Sequence, residues 1–595
     1  MIQHRQATPR DNMRRRLRYL YGDARGERAY SDLEQVLDLF PERPQARPAN
    51  PLTLDQGQFT EADAILITYG DTFLPDADQT AGPQTPLAAL GSFAERHLSG
   101  VLSTIHLLPF FPYSSDYGFS VIDYEQVNPA LGSWADIKAL GRRFPLMFDL
   151  VVNHCSAEGP WFQAFLRGEP PYHEFFIVTD PAADLRSVTR PRTTPLLTSV
   201  ETANGPVSVW TTFSADQVDL NYANPAVLIR MVEVILGYVQ RGATLLRMDA
   251  VGYLWKEIGT SCIHLPQTHQ IVKLFRDVLA DVAPDVAIVT ETNVPHDDNV
   301  AYFGNGHDEA QMVYQFPLAP LVLHALASGN AERLGGWAAL LDTPSDTTTF
   351  FNFEASHDGV GVVPAKGILT DLEVQDLADQ VEAFGGEVSY KTNPDGSLSP
   401  YELNGTLFDI LSDPADTGEG GEAWELKRDR FLCSQAIMLA MPGVPGIYVH
   451  SLFGSHHDQE GFARSGWKRD LNHQQLVLAD IEQRLADPVS EAARVFAGYR
   501  ALLTARRAQP AFHPAAPQSV LDLGPELLAL RRGPRDGQTI WALHNVSARP
   551  VNVDLFLLWL DDGATLRDVV RGEIIDQDAP LEVGPYGVRW LATGP

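Results

Sequence analysis

The sequence predicts an α/β chain built on a (β/α)8 TIM barrel, with inserted loop domains, an N-terminal helical extension and a C-terminal all-β domain. Three observations predict it. From Ala64 onward, short apolar runs of strand character alternate with helix-length patterns, the arrangement that a parallel sheet or barrel imposes. Those runs number eight, the count that closes such a barrel. They are AILITYG (64–70), LSTIHLLPF (102–110), LMFDLVV (146–152), TLLRM (244–248), VAIVTE (286–291), MVYQF (312–316), TTFFNF (348–353) and PGIYVHS (445–451). Residues 511–595 then change character to short strands such as LLALRRG, TIWALHNV and VNVDLFLLWL, with no evident catalytic cluster.

Length and composition bound the rest. A chain of 595 residues can bury several cores, so two to four domains are expected. Hydrophobic content of 44% with 20% charged residues is that of an ordinary soluble enzyme. The net charge of −31 leaves no surplus of Lys and Arg to neutralise phosphates, so no nucleic-acid partner is expected. Cys155, Cys262 and Cys433 are too far apart for a disulfide framework or a metal knuckle, which predicts reduced thiols and a cytoplasmic protein. The basic N-terminal segment lacks the apolar stretch of a secretory signal, and no run has the length of a membrane span. Oligomeric state is not legible.

Taken in order, residues 1–62 read as a helical extension and linker. Ser31-Asp32-Leu33-Glu34 has the form of a capping box, and Leu33, Val36, Leu37 and Phe40 make one apolar face suited to docking on the main body. A proline-rich stretch over 41–51 marks the linker. The barrel is expected over 63–154, 226–363 and 426–510, with a helix near 489–507. Two insertions interrupt it. Residues 155–225, rich in Pro, Thr and Ser, predict a non-helical domain after the third strand. Residues 364–425, with NPDGS and DTGEGGE, predict a turn-rich, flexible acceptor-loop domain after the seventh. Loops this long inside a compact domain are usually functional. Residues 511–595 form the C-terminal β domain.

The stretch GATLLRMDAVGY (242–253) carries the first chemistry. Residues two apart on a strand face one side, so Arg247 and Asp249 project together. The guanidinium favours the ionised carboxylate and lowers its pKa, as a carboxylate nucleophile requires. The carboxyl end of a barrel strand is also where catalytic residues gather. Taken alone, this pair is better explained as structural. The wider set changes the balance: Asp149, Asn153 and His154 end the third strand, Glu291 the fifth, and His357-Asp358 follow the seventh. Buried charges cost free energy unless paired, so carboxylates converging from successive strand ends point to function.

The blocks FDLVVNH, LLRMDAVGY, VTETN and FEASHDGVG resemble the four characteristic motifs of the α-amylase superfamily of glycoside hydrolases. QVDLN (217–221) resembles its additional motif in the inserted domain. The resemblance spans roughly residues 63–510 and implies a retaining mechanism at an α-glucosyl centre. By it, Asp249 is the nucleophile, Glu291 the general acid/base, and Asp358 the third carboxylate that grips sugar hydroxyls. Retention needs two carboxyls about 5–5.5 Å apart, one of them holding a proton, which burial beside a negative charge favours for Glu291. His154 and His357 suit donation to glucose hydroxyls.

More narrowly, SSDYGFSVID, RPR (190–192), KEIGTSCIH, FPLAPLVLHAL, PGVPGIY and KRDLN resemble the sucrose-phosphorylase subgroup. That resemblance implies that Asp116 and Arg469 hold the 4- and 6-side hydroxyls, and that Phe119 and Phe213 form aromatic walls. Arg192 would meet phosphate, a role suited to a fork of charged donors. Tyr253, Gln217 and Tyr401 would line the acceptor side. Two departures bear on the acceptor: Asn293 stands where the subgroup carries a histidine, and Glu402 where it carries a glutamine. With the N-terminal extension, they look closer to glucosylglycerate phosphorylases. The implied partners are small molecules: an α-glucoside, inorganic phosphate and glycerate. No cofactor and no metal are expected. Asn153 stands where calcium-binding amylases recruit an oxygen ligand, but the subgroup does without that ion. His456-His457-Asp458 reads as a surface loop, since three adjacent residues rarely converge on one ion. The alternatives are a sucrose or glucosylglycerol phosphorylase, an α-glucosidase-type hydrolase, or a non-catalytic amylase-like binding protein.

Overall fold

The computed structural model describes residues 7–40, 59–76, 82–192, 194–393, 397–416, 421–558 and 565–593. The proline-rich linker, most of NPDGS and DTGEGGE, and the end of VNVDLFLLWL lie outside the described residues.

Eight parallel strands close a barrel, one in each of the eight predicted runs: β1 Ile65–Thr68, β2 Thr104–Leu107, β3 Leu146–Val151, β4 Ala243–Asp249, β5 Ala287–Thr290, β6 Met312–Tyr314, β7 Thr349–Asn352 and β8 Val444–Tyr448. Neighbours in sequence are neighbours in the barrel, and β8 closes on β1. The strands are apolar almost throughout because both faces are covered, by the barrel interior and by the surrounding helices. The register of β3 against β4 sets Asp149 opposite Arg247 and Val151 opposite Asp249. A buried arginine thus stands between two acidic strand positions.

The N-terminal extension is one helical segment, α1 (Pro9–Asp38), bent at Gly22, whose φ of 76° breaks the helix. The two arms fold back on each other: Arg10 pairs with Asp38 at 2.9 Å, and Arg14 chelates Glu27. Gly26 permits the crossing, since a Cβ there would lie 2.6 Å from the Arg18 Cα. The expected capping box at Ser31–Glu34 is not one. Ser31 lies inside the second arm, and the box is formed by Thr8 and Asp11 at the start of the first. The apolar face does dock: Leu33 and Leu37 are buried, along with Met13 and Leu17 from the first arm. The segment packs on α2 (Pro225–Gln240) and α3 (Pro266–Val282). There Arg16 donates to Asp277 at 2.6 Å with both side chains buried, and Tyr21 donates to the Tyr222 carbonyl at 2.9 Å.

The segment after β3 is not purely non-helical. It contains the helix Pro160–Leu166, a hairpin of Leu197–Thr202 with Gly205–Trp210, and the strand Gln217–Asp219, which pairs with His154–Ser156. After β7, a three-stranded sheet joins Val360–Gly361, Leu398–Asn404 and Glu387–Thr392, with the helix Asp371–Ala383 against it. The C-terminal region is a six-stranded antiparallel sheet with a separate two-stranded ribbon. Its buried Arg532 donates to the His513 carbonyl at 2.8 Å and to that of Ala440, at the end of α4 (Trp424–Ala440). All three cysteines are free and buried. Among the described residues, no helix is long and apolar enough to cross a membrane.

Candidate active site

A cavity opens at the carboxyl ends of the strands, and Asp249, Glu291 and Asp358 all line it. Arg247 lies beneath, fully buried between the ring faces of Phe119 and Tyr314, 5.4 and 5.3 Å from their centroids. Its Nη1 donates to Asp249 Oδ1 at 3.0 Å and also to Asp149, while Nη2 stands 3.9 Å from Glu291 Oε2. Asp149 is in turn 2.7 Å from His106 Nε2, so its carboxylate holds the guanidinium in place from a fully buried position. Glu291 Oε2 accepts from the backbone N–H of Ala250, the residue after Asp249, at 3.1 Å. Both carboxyls therefore meet over one guanidinium.

Their electrostatics refine the sequence expectation. Burial drives the Asp249 carboxyl well above the usual carboxylate range. Arg247 pulls it down, but Glu291, Asp149 and Asp358 push it up again. Arg247 lowers the Asp249 pKa as expected, yet burial outweighs its effect. Glu291 is raised, also chiefly by burial, with Arg247 opposing and Asp358 reinforcing. Two carboxyls with one nearby guanidinium retain a proton that either would lose in water.

Asp358 is paired with Arg469, whose Nη1 is 2.6 Å from Oδ1. The same guanidinium grips Glu402 through two parallel bonds, Nε–Oε1 and Nη2–Oε2, both 3.0 Å. Burial would raise the Glu402 pKa, but Arg469 holds it below the ordinary value. Glu402 lies on the acceptor-loop strand Leu398–Asn404, lines the cavity and holds Arg469 in place. Gln217, also expected toward the acceptor, donates to Asp116 Oδ2 at 2.9 Å and stands 3.2 Å from His154 Nε2. Asp116 itself has φ of 53°, a left-handed conformation that aims its side chain into the cavity wall. His154 Nε2 is 3.0 Å from the Phe119 carbonyl, and burial holds the imidazole neutral.

Phe119 stacks on His357, centroids 4.9 Å apart and planes 10° from parallel, and burial drives the His357 pKa far below its ordinary value. Phe213 meets His154 at 5.2 Å and Tyr253 edge-on at 5.4 Å. Tyr401, Asn293 and Arg192 complete the wall. The Arg192 guanidinium has no ion pair among the described residues, and its charge acts on Tyr253 and Tyr401. Every predicted site residue thus lines this cavity except Arg247, which supports it from below.

Sequence reading missed several contributors. Ile263 and His264 line the cavity from the KEIGTSCIH string, and Tyr314 and Phe353 from strand ends. Lys256 was missed as well. Its ammonium donates to Asn153 Oδ1 at 2.7 Å and lies 2.6 Å from Asp219 Oδ2, so it sits on the oxygen expected of a calcium ligand. A lysine three residues after Tyr253 gave no signal, because its partner Asp219 lies on the distant insertion. Among the described residues, no group of three or more side chains converges as a metal site. His456-His457-Asp458 is not simply a surface loop: His457 is buried, and Asp458 caps the helix Gln459–Ser465.

The closed (β/α)8 barrel thus brings to one cavity three carboxylates, with a buried arginine beneath them and an arginine that has no ion pair among the described residues in the wall. Residues 100–339 match the catalytic domain of α-amylase. The chain belongs to the α-amylase superfamily, in its branch of glycoside phosphorylases. It is 50% identical to the glucosylglycerate phosphorylase of Allomeiothermus silvanus, over 91% of this chain and 93% of that one. It is 46% identical to the protein of the same name from Spirochaeta thermophila, over 98% of both. The sucrose 6F-phosphate phosphorylase of Thermoanaerobacter thermosaccharolyticum shares the fold, with a TM-score of 0.69 at 24% identity, over 82% of this chain and 94% of that one.

Proposed function

We propose that the protein transfers a glucosyl unit from α-glucosylglycerate to inorganic phosphate, giving α-glucose 1-phosphate and glycerate, reversibly and with retention. One observation carries the choice of acceptor. Relatives named glucosylglycerate phosphorylase are 43–50% identical to this chain, whereas those named glucosylglycerol or sucrose phosphorylase are 25–28% identical.

In this reading Asp249 is the nucleophile. The proton shared by the two carboxyls resides on Glu291, because Arg247 contacts Asp249 at 3.0 Å but stays 3.9 Å from Glu291. Asp249 attacks the anomeric carbon while Glu291 protonates the departing glyceryl oxygen, leaving a glucosyl ester on Asp249. Phosphate then enters beside Arg192 and attacks the same carbon, and Glu291 recovers its proton from the attacking P–OH. Asp358 and Arg469, with Asp116 and His154, grip the glucosyl hydroxyls. Glycerate leaves and phosphate arrives on one side of the sugar, so the Arg192 guanidinium, without an ion pair among the described residues, serves both anions in turn. Glu402 does not repel them, since Arg469 neutralises it.

The test offers glucose 1-phosphate with glycerate, glycerol, fructose or fructose 6-phosphate and follows phosphate release. Glycerate is expected to exceed the others in kcat/KM by at least about tenfold, a difference of ~1.4 kcal/mol. A higher value for glycerol or fructose would replace the acceptor and leave the phosphorylase in place.

A further inference from the structure

His264 lies outside every role assigned above, yet it borders the same cavity. It follows the nucleophile strand in space: its backbone N–H donates to the Gly252 carbonyl at 3.0 Å. A Cβ built on Gly252 would stand 3.1 Å from the imidazole Cε1, so the ring lies directly against the turn after Asp249. Two non-glycine residues of this short segment, Cys262 and His264, have left-handed φ values of 53° and 55°. Such backbone strain persists only where surrounding structure imposes it, and it gathers at ligand-contacting segments.

The ring is also fixed in its proton arrangement. Tyr302 is fully buried, and its hydroxyl has one partner among the described residues, His264 Nδ1 at 2.8 Å. A buried phenol must place its proton on an acceptor, so Nδ1 accepts and the ring proton sits on Nε2. Burial keeps the imidazole neutral, with a pKa lowered to about 4. Tyr302 is held in turn by His269, stacked at 4.6 Å, whose Nδ1 is 2.6 Å from the buried Glu309. A chain of three side chains thus orients one imidazole, and its Nε2, itself buried, has no hydrogen-bond partner among the described residues.

We propose that the Nε2–H of His264 is a donor to the anionic oxygen bound on the acceptor side of the cavity, the carboxylate of glycerate or an oxygen of phosphate. An oriented neutral donor suits a site that two anions occupy in turn, because it adds no charge that would trap either. Tyr302 is the positioning residue that fixes its tautomer. The proposal rests on the phosphorylase reading and adds a specificity residue to it.

The experiment compares wild type, His264→Ala, His264→Gln and Tyr302→Phe in three arms: synthesis from glucose 1-phosphate with glycerate, the same with glycerol, and phosphorolysis at varied inorganic phosphate. His264→Ala is expected to lower kcat/KM for glycerate about ten- to a hundredfold, the size of a hydrogen bond to a charged group, with glycerol affected far less. His264→Gln, which keeps a donor, restores part of the loss, and Tyr302→Phe gives a smaller loss in the same direction. A loss confined to the phosphate arm also upholds the proposal and identifies phosphate as the anion served. Equal losses in all arms, or none, would overturn it. A wild type indifferent to glycerate would instead sink the acceptor reading, leaving the phosphate arm to decide His264.

Discussion

At Asp249 and Glu291, burial competes with one guanidinium, and the geometry of Arg247 decides how the two carboxyls differ. Asp249→Asn should abolish turnover with the fold intact, since volume hardly changes while the nucleophile is lost. Glu291→Gln should be equally impaired with the natural donor. With a glucosyl donor whose leaving group needs no protonation, it should still accumulate an ester on Asp249, visible by intact mass and peptide mapping. An adduct mapped to any other residue would refute the assignment. Arg192→Ala should weaken phosphorolysis by about 1.5–3 kcal/mol, the cost of one hydrogen bond to a bound anion, while sparing the glucosylation half-reaction. Equal losses of hydrolysis and phosphorolysis would make Arg192 merely structural. These residues were legible because their motifs are contiguous. Glu402 and Gln217 were legible as cavity residues but their hydrogen-bond partners were not, since Arg469 and Asp116 reach them across 67 and 101 residues. No local pattern encodes such pairings. His264 and Lys256 escaped for the same reason.

The strands were readable at the scale of elements because each is a short apolar run set off from helical patterns. The N-terminal segment shows the converse. The pattern S-x-x-E at 31–34 occurs by chance inside a helix, while the real break at Gly22 depends on a backbone angle the pattern does not reveal. The seven-residue helix Pro160–Leu166 is too short to show periodicity above the surrounding Pro and Gly. How α1 docks leads to a prediction. Arg16 is buried against Asp277, so Asp277→Ala leaves an uncompensated guanidinium and should cost about 3–5 kcal/mol. Replacing both, Arg16→Met with Asp277→Leu, should recover most of the loss. Urea titrations of the single and double variants check this, and a double variant no more stable than the single would show that the pair is not what seats the helix.

Across the whole molecule, buried titratable groups set the pH at which the fold is most stable. His264, His513 and His544 have pKa values lowered to about 4, and His450 to about 3, each chiefly by burial. A depressed histidine is protonated more readily in the unfolded chain, so its stabilisation holds above the ordinary value near 6.5 and is lost as pH falls toward 4. Glu354 acts in the opposite sense. It is buried, accepts from Gln435 at 2.8 Å, and burial raises its pKa to about 8. It holds a proton in the folded chain that the unfolded chain releases above about 4.5, so its contribution declines as pH rises and is gone beyond 8. His456, raised to about 8 first by its hydrogen bond to Asp409, adds a decline between about 6.5 and 8. Six further histidines are depressed by burial, His154 and His357 among them, and with the four above they outnumber the carboxyls that burial raises, Glu354 with Asp63, Asp71, Asp249, Asp277 and Glu291, so below pH 6.5 stability should rise with pH. Above it the slope of the histidines vanishes, the raised groups remain, and stability should fall. The expected maximum is therefore close to pH 6.5, read as the urea midpoint from pH 5 to 9. Glu354→Gln keeps the hydrogen bond to Gln435 within reach and removes a titration that runs from about 4.5 to 8, so it should flatten the decline above pH 6.5 and steepen the rise below it. A wild-type midpoint that climbs steadily to pH 9, or a variant with the same alkaline slope, would show that Glu354 does not hold its proton in the folded chain.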